Sequence, residues 1–286
     1  MVIDNHTLRM GLIGNPLGHS LSPQMHNQTL ARMGLNGIYL PMEVAPQRLG
    51  EAVQGLRALN FTGVNVTIPY KQAVIPYLDE LSPESRACQA VNLIQHRDGR
   101  LIGYNTDGRG FMASLQEEGV DRLNHVLIIG AGGAARAVVY ELTQAGAARV
   151  DILDVVSERA LALAEFVNHR TPGSAAGHLM NQSVFAELCQ SADLVVNCTP
   201  VGMHPGVDNS PVDSLEGMKP DAVVYDLIYN PPTTRLLGLA RARNIHAVNG
   251  VGMLVHQGAL TLKILTGVQP PVAFMKEVII HAIEQA

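Results

Sequence analysis

The sequence has no tryptophan, and aromatic residues account for only 4% of its 286 positions. Its core must therefore be built mainly from aliphatic side chains and methionine. Cysteine is also scarce: Cys88, Cys189 and Cys198 are too few and too widely spaced for a disulfide framework or a metal motif. We interpret them as reduced, buried thiols, and this predicts a cytoplasmic protein.

The sequence also lacks an excess of basic residues, and its formal net charge is −5. It has 20 Lys and Arg against 25 Asp and Glu, with no basic cluster, which argues against a nucleic-acid partner. The apolar stretches near Val126 and Val223 are short and interrupted, so we predict no membrane span and no membrane partner. The 11 histidines show no ligand spacing, so we predict no metal site.

Strand-like and helix-like segments alternate regularly along a chain long enough for two domains. This alternation predicts an α/β fold with parallel sheets covered by helices. We expect strands at residues 8–13, 38–44, 64–68, 92–96, 100–104, 126–129, 150–153, 194–197 and 223–227. We expect helices at residues 22–33, 46–60, 110–118, 252–265 and 271–283, with further helices starting near 70 and 82, and a surface loop at 171–177. Asp98-Gly99 predicts a hairpin turn.

The segment Asn65-Val66-Thr67-Ile68-Pro69-Tyr70-Lys71 carries an unusual set of polar side chains. Apolar residues alternate with Asn65 and Thr67, which is typical of a strand with one polar face. Lys71 follows the carboxyl end of this strand, where ligands bind in open α/β sheets. The pattern predicts a small-molecule site that uses an amide, a hydroxyl and an ammonium group. Asn65 has an alternative interpretation, in which it only supports the strand and its neighbouring loop.

A second motif, Gly130-Ala131-Gly132-Gly133-Ala134-Ala135, follows an apolar strand and opens a helix. It fits the G-x-G-x-x-A pattern of dinucleotide-binding folds. There, one glycine permits the tight turn, another lets a pyrophosphate approach the backbone, and the pyrophosphate lies at the helix N-terminus. Such strings also arise from backbone geometry alone, but the flanking strand and helix favour a dinucleotide site.

Asp154 ends the strand after this motif. A carboxylate there would accept hydrogen bonds from the ribose hydroxyls and repel a 2′-phosphate, which favours NAD over NADP. Two observations compete with this interpretation. Asp154 could instead cap the helix that begins near Ser157, and Arg159 could hold a 2′-phosphate or simply be a solvated helix residue.

Several motifs, in this order, give the chain its resemblance to the shikimate dehydrogenase family. They cover nearly the whole sequence and are Ser20-Leu21-Ser22-Pro23, Asn65 to Lys71, Asn105-Thr106-Asp107-Gly108, Gly130 to Ala135, Asn197-Cys198-Thr199-Pro200-Val201-Gly202-Met203, Tyr229-Asn230-Pro231 and Gly250 to Ala259. The resemblance implies a substrate domain at residues 1–107 completed by 253–286, and a Rossmann domain at 108–252. It also implies reversible oxidation of shikimate to 3-dehydroshikimate with NAD or NADP.

The resemblance further assigns roles to individual residues. It implies that Ser20 and Ser22 bind the substrate carboxylate, although Ser22 could instead be the helix N-cap before Pro23. The remaining implied substrate ligands are Thr67, Lys71, Asn92, Asp107, Gln257 and Tyr229, the last of which could be a core residue with a wet hydroxyl. The implied nicotinamide contacts are Thr199, Met203, Leu227 and Gly252.

Lys71 and Asp107 are the residues that the resemblance places in catalysis. The hydroxyl proton of the substrate must leave separately from the hydride, and a lysine amine can accept it when burial favours the neutral form. Asp107 would orient both Lys71 and the substrate, and the two groups should titrate as a coupled pair. A purely structural salt bridge is the alternative.

The segment Asp154-Val155-Val156-Ser157-Glu158-Arg159 departs from the family pattern. NADP-using members typically carry Asn-Arg-Thr-x-x-Arg there, whereas this chain has an acid first and an apolar Val155 in place of the first arginine. The resemblance therefore implies the NAD-preferring branch, whose members include enzymes that also oxidise quinate. The resemblance leaves two alternatives: quinate could be the main substrate instead of shikimate, and the protein could be a homodimer or a monomer. A methyltransferase, a folate dehydrogenase and a non-catalytic dinucleotide sensor are the rival classes, which the motif set disfavours.

Overall fold

The structure is a computed structural model that describes residues 3–18, 20–171 and 173–285. It divides into two units, Met1–Gly110 with Val255–Ala286, and Phe111–Leu254. The domain limits that we drew from the sequence, 107/108 and 252/253, stay a prediction for the functional domains. Among the described residues, no helix combines the length and apolar character that crossing a membrane requires.

The first unit is built around a six-stranded mixed sheet with the order β2-β1-β3-β5-β6-β4. Its elements are β1 (Leu8–Gly14), α1 (Ser22–Arg32), β2 (Gly37–Glu43), α2 (Leu49–Ala58), β3 (Gly63–Val66), β4 (Glu80–Leu81), α3 (Pro83–Cys88), β5 (Leu93–Arg97), β6 (Arg100–Tyr104) and α10 (Val272–Glu284), with 3₁₀ turns at Pro46–Arg48 and Ile75–Tyr77. β5 runs antiparallel to β3 and β6, so the expectation of parallel sheets fails here. The cause is the predicted hairpin, whose turn residues Asp98 and Gly99 both have positive φ.

The second unit contains a six-stranded parallel sheet with the order β12-β11-β10-β7-β8-β9. Its elements are β7 (His125–Ile129), α5 (Gly133–Gln144), β8 (Arg149–Asp154), α6 (Ser157–Asn168), β9 (Ser174–Leu179), α7 (Gln182–Cys189), β10 (Leu194–Asn197), β11 (Val223–Asp226), α8 (Arg235–Ala242) and β12 (His246–Val248). Two further helices, α4 (Asp107–Glu117) and α9 (Val251–Thr266), contribute residues to both units.

Alternate residues of β7 show why the second sheet is buried on both faces. Val126 and Ile128 belong to one apolar cluster, and Leu127 and Ile129 belong to another. A strand covered by helices on both sides needs such a continuous apolar run rather than an alternating one. The α/β fold with a Rossmann-type second sheet, predicted from the sequence, is therefore confirmed.

Two local expectations are wrong. No α-helix starts near Tyr70, because the chain there forms turns and the 3₁₀ turn Ile75–Tyr77, in which Pro76 can donate no helical hydrogen bond. In the stretch 171–177, expected to be a loop, the residues from Ser174 onward form the edge strand β9, while residue 172 lies outside the described residues. The small residues of β9 have a packing reason, since a β-carbon at Gly177 would lie 2.5 Å from the backbone carbon of Ala160 in α6.

Candidate active site

The first unit brings Lys71 and Asp107 together at the carboxyl side of its sheet. Lys71 follows β3 and Asp107 is the first residue of α4, where a carboxylate is favoured by the helix dipole. The Lys71 Nζ lies 2.6 Å from Asp107 Oδ2, and the two side chains are only 15% and 6% exposed. This is a charge-assisted contact largely shielded from water, and the surroundings strengthen its electrostatics.

Asn92 joins this pair from the start of β5. Its Nδ2 donates to Asp107 Oδ1 at 2.8 Å, and its Oδ1 accepts from the Thr106 backbone N–H at 2.8 Å. The same Nδ2 lies 3.4 Å from Oε1 of Gln257 on α9. Gly110 allows α9 to approach, because a β-carbon there would lie 2.7 Å from the Gln257 backbone nitrogen. Four predicted site residues therefore form one cluster.

Ser20, Ser22 and Thr67 lie on the same unit, but among the described residues no hydrogen bond links them to that cluster. The alternative that Ser22 caps α1 is wrong, because the N-cap is Leu21 and Ser22 is the first helical residue. Ser20 Oγ accepts from the Ser22 backbone N–H at 3.4 Å, which ties the two serines together. Thr67 is held through its backbone N–H, which donates to the Ile13 carbonyl at 2.9 Å.

The side chain of Asn65 is hydrogen-bonded to other residues of the first unit. Its Oδ1 accepts from the Tyr39 hydroxyl at 2.8 Å. Its Nδ2 donates to the Asn92 carbonyl and to Thr261 Oγ1, both at 3.0 Å. The contacts match the alternative interpretation, in which Asn65 supports the strand and its neighbours. No sequence signal identified Tyr39 and Thr261, which lie far from Asn65 along the chain.

In the second unit the glycine motif has the geometry that a dinucleotide needs. Gly130 has φ +98°, and a β-carbon there would lie 2.8 Å from Thr199 Cγ2, so only glycine fits. Gly132 is the N-cap of α5, and a β-carbon placed on it would have no neighbour within 4 Å. This open space lies over the N-terminus of α5, which starts at Gly133-Ala134 and favours a pyrophosphate. The residues present therefore fit a dinucleotide.

Asp154 at the end of β8 is bound to the glycine motif. Its Oδ2 accepts from the Ala131 N–H at 2.8 Å and its Oδ1 accepts from the Val156 N–H at 2.9 Å. The alternative that Asp154 caps α6 is wrong, because the N-cap is Val156, without a side-chain bond. Val155 is 77% exposed and Arg159 is also exposed on α6. No guanidinium therefore occupies the position that follows the acid.

The loops after β10 and β11 carry three more of the predicted cofactor residues, Thr199, Met203 and Leu227. Thr199 donates through its N–H and Oγ1 to Asn197 Oδ1, at 3.0 and 2.7 Å, and the Leu227 N–H donates to the Asn197 carbonyl. Asn197 Nδ2 in turn donates to Asp226 Oδ1 at 3.0 Å. Asn197 and Asp226 thus organise this edge, and sequence reasoning gave them no role.

The last three predicted residues are Met203, Tyr229 and Gly252. Met203 is exposed and Tyr229 is partly buried in the loop after β11. Gly252 lies on α9 against Ser114 of α4, and a β-carbon there would overlap the Ser114 hydroxyl. Gly252 therefore has a packing reason to be glycine, whatever else it contacts.

Family models match three stretches of the chain. A model described as the shikimate dehydrogenase substrate binding domain matches residues 12–94. One described as the shikimate 5′-dehydrogenase C-terminal domain matches residues 250–280, and one described as the saccharopine dehydrogenase NADP binding domain matches residues 126–207. The matches thus fall on both units.

Full-length relatives and solved structures extend these matches. The shikimate dehydrogenase (NADP(+)) of Syntrophomonas wolfei is 50% identical over 285 residues, which cover 100% of this chain and 98% of that protein. Shikimate 5-dehydrogenase from Listeria monocytogenes, solved with shikimate and NAD, is 36% identical with a TM-score of 0.88, over 96% of this chain and 97% of that one. Quinate dehydrogenase from Corynebacterium glutamicum, solved with NAD, is 31% identical with a TM-score of 0.88, over 96% of this chain and 99% of that one.

Proposed function

The chain belongs to the shikimate dehydrogenase family, and on that premise we propose which residues move the proton, which bind the substrate and which cofactor is preferred. The protein is an NAD(P)-dependent oxidoreductase that acts on a CH–OH group. Its reaction is the oxidation of shikimate to 3-dehydroshikimate. The hydroxyl carbon of the substrate loses a hydride, and the hydroxyl oxygen loses a proton.

Lys71 accepts that proton. The observation that carries this assignment is the 2.6 Å contact between Lys71 Nζ and Asp107 Oδ2, in surroundings that exclude most water. Asp107 holds the amine in place and accepts a hydrogen bond from a ring hydroxyl, while Asn92 fixes the other carboxylate oxygen. Nicotinamide, when bound, supplies the hydride acceptor. General acid–base help of this kind typically contributes about 10²–10⁴-fold to the rate.

The substrate is a compact polyol with one carboxylate, and the first unit supplies donors and acceptors for both features. Ser20 and Ser22 bind the carboxylate, which is supported by the Ser22 hydroxyl not being used as a helix cap. Thr67, Asn92 and Gln257 bind the ring hydroxyls together with Asp107. Tyr229 supplies a further polar contact to the substrate.

NAD is the preferred cofactor. The glycine motif, from Gly130 to Ala134, holds the pyrophosphate at the start of α5, and Asp154 accepts the ribose hydroxyls. Thr199, Met203, Leu227 and Gly252 line the nicotinamide. Support for NAD comes from the carboxylate of Asp154, which would repel a 2′-phosphate, and from the apolar Val155, which offers no clamp. Arg159 alone is a weak substitute. The relative from Syntrophomonas wolfei is named for NADP, and the assay below compares the two cofactors directly.

Quinate is the second candidate substrate. The observation that favours it is the NAD-bound quinate dehydrogenase from Corynebacterium glutamicum, whose fold matches this chain with a TM-score of 0.88. Quinate shares the carboxylate and ring hydroxyls but lacks the ring double bond. The proposed compartment is the cytoplasm, since the described cysteines Cys88, Cys189 and Cys198 are free thiols and reduced thiols persist there.

A steady-state matrix tests the proposal, with shikimate and quinate each assayed with NAD and with NADP. We expect the highest kcat/KM for shikimate with NAD and weaker turnover of quinate with NAD. A higher kcat/KM for NADP would overturn the cofactor preference, and a higher value for quinate would overturn the substrate order. No turnover in any combination would contradict the assigned machinery as a whole.

A further inference from the structure

Asp226 is a buried carboxylate at the carboxyl edge of the second sheet that the mechanism above does not use. It ends β11 and is fully buried. Its Oδ1 accepts from Asn197 Nδ2 at 3.0 Å and from the Ile228 N–H at 3.1 Å, and its Oδ2 accepts from Thr234 Oγ1 at 2.6 Å. These donors explain how the carboxylate is tolerated, but not why a charge is present.

Among the described residues, Asp226 differs from the buried carboxylates Asp151 and Asp193 of this unit in having no cationic partner, and it differs from Asp154, which also lacks one, in being fully buried. Asp193 lies 2.7 Å from Lys219 Nζ, and Asp151 contacts Arg149 and two histidines. In the part of the chain that the structure describes, Asp226 takes part in no ion pair. Burial raises the pKa of Asp226 to about 6, although its hydrogen bonds act in the opposite direction. The group is therefore ionised at pH 8, at an energetic cost that a neutral residue would avoid.

The charge of Asp226 acts on the loop that follows β10. β10 and β11 are neighbouring parallel strands, and Asn197 pairs with Asp226 in their register. Cys198, the next residue, has its thiol pKa raised by burial and further by the charge of Asp226. Thr199 then follows, held by Asn197 Oδ1. The negative charge thus lies beneath the loop to which the proposed function assigns nicotinamide contacts.

We propose that Asp226 selects the oxidised form of the cofactor, because its uncompensated negative charge stabilises the cationic nicotinamide ring relative to the neutral reduced ring. This inference rests on the proposed function, in which Thr199 and Leu227 line the nicotinamide. Opposite charges attract strongly where water is excluded, and the reduced ring gains no such attraction. Asn197 and Thr234 hold the carboxylate in position, so Asp226 acts by charge on the cofactor and not on the proton transfer.

The test is calorimetric titration of the wild type and Asp226→Asn with NAD and with NADH at pH 8. The asparagine retains an acceptor oxygen for Asn197 and Ile228, and its amide faces the Thr234 hydroxyl, so the change removes mainly the charge. We expect the Kd for NAD to rise at least about threefold more than the Kd for NADH. Asp193→Asn is the matched control, since it removes a carboxylate at the amino edge of the same sheet and should leave the ratio unchanged.

The outcomes separate the inference from the proposed function. Equal weakening of NAD and NADH, or no change in either, would overturn the role of the Asp226 charge. Failure of the wild type to bind either dinucleotide would instead overturn the proposed function. Asp226→Ser is a second neutral variant for the case in which Asp226→Asn does not fold, and Asp226→Glu should restore the wild-type ratio.

Discussion

Buried aspartates lie at the carboxyl edges of both sheets, but the groups that bind their carboxylates differ between the two edges. In the first unit Asp107 contacts the ammonium of Lys71 directly. In the second unit Asp154 accepts hydrogen bonds from two backbone N–H groups. Asp226 accepts hydrogen bonds from a side-chain amide, a hydroxyl and a backbone N–H. An ion pair with lysine contains a proton donor that can exchange, whereas the partners of Asp154 and Asp226 are neutral N–H and O–H donors that keep their protons. We therefore assign proton transfer to the first edge and cofactor selection to the second.

Removal of the ammonium at the first edge should have the largest effect. In Lys71→Met the substrate hydroxyl loses its proton acceptor, so we expect kcat to fall by about 10²–10⁴ while the KM for shikimate changes little. Steady-state assays at saturating cofactor measure both values. The control is Arg57→Met, which removes a cation from a partly exposed pair with Asp79 in the same unit. Unchanged kcat in Lys71→Met would leave the pair a purely structural salt bridge.

At the second edge, an exchange of charge should change the cofactor preference without changing the substrate preference. In Asp154→Ser with Val155→Arg, the repulsive carboxylate disappears and a guanidinium becomes available to a 2′-phosphate. We expect the ratio of kcat/KM for NADP to that for NAD to rise at least about tenfold. Leu161→Arg adds the same charge at an exposed position of the neighbouring helix α6 and should not change the ratio. A double variant with the wild-type ratio would remove Asp154 from cofactor selection.

Substitution of Asp151 should have the smallest effect on activity, because basic side chains next to its carboxylate compensate the charge. Burial raises the pKa of Asp151, but hydrogen bonds from His125, His178 and Arg149 outweigh it and lower that pKa to about 2. A lowered carboxyl pKa stabilises the fold above the unfolded value near 4, and the stability is lost as pH falls toward 2.

In Asp151→Asn we therefore expect the unfolding free energy at pH 7 to fall by on the order of 2 kcal/mol, with less dependence on pH between 4 and 2. Denaturant unfolding at several pH values measures this change. NADH affinity should stay at the wild-type value. A loss of NADH affinity as large as that of an Asp154 variant would contradict the distinction between paired and unpaired carboxylates.

Much of the fold could be predicted from the sequence because local patterns determine it. The strand 126–129 is apolar without interruption, the glycine motif follows it, and the Asp98-Gly99 turn sets a hairpin. The failures occur where tertiary contacts decide. β9 consists of small, weakly patterned residues whose pairing depends on the packing of α6 against Gly177. The helix expected near Tyr70 lies between Pro69 and Pro76, and neither proline can donate a helical backbone hydrogen bond, so the segment forms turns instead.

The residues of the site also divide into those that local motifs predict and those that only tertiary contacts bring together. Motifs contain Lys71, Asp107 and Asp154 themselves, so a sequence can indicate them. The sequence does not show that Asn65 bonds to Thr261, since the two residues meet only through β3 and α9. It also does not show that Asp226 forms no ion pair with any described residue, because an unpaired charge becomes visible only when its neighbours are known. The candidate catalytic and cofactor-binding residues were therefore predictable, whereas the hydrogen-bond and ion-pair partners around them were not.

The division of labour between the two edges is tested most directly by calorimetric titration of Lys71→Met with NADH. We expect a Kd equal to that of the wild type, in a protein whose turnover has collapsed, because the second edge alone selects the cofactor. A Kd for NADH that rises in parallel with the loss of turnover would contradict this division, since Lys71 would then contribute to cofactor binding as well as to proton transfer.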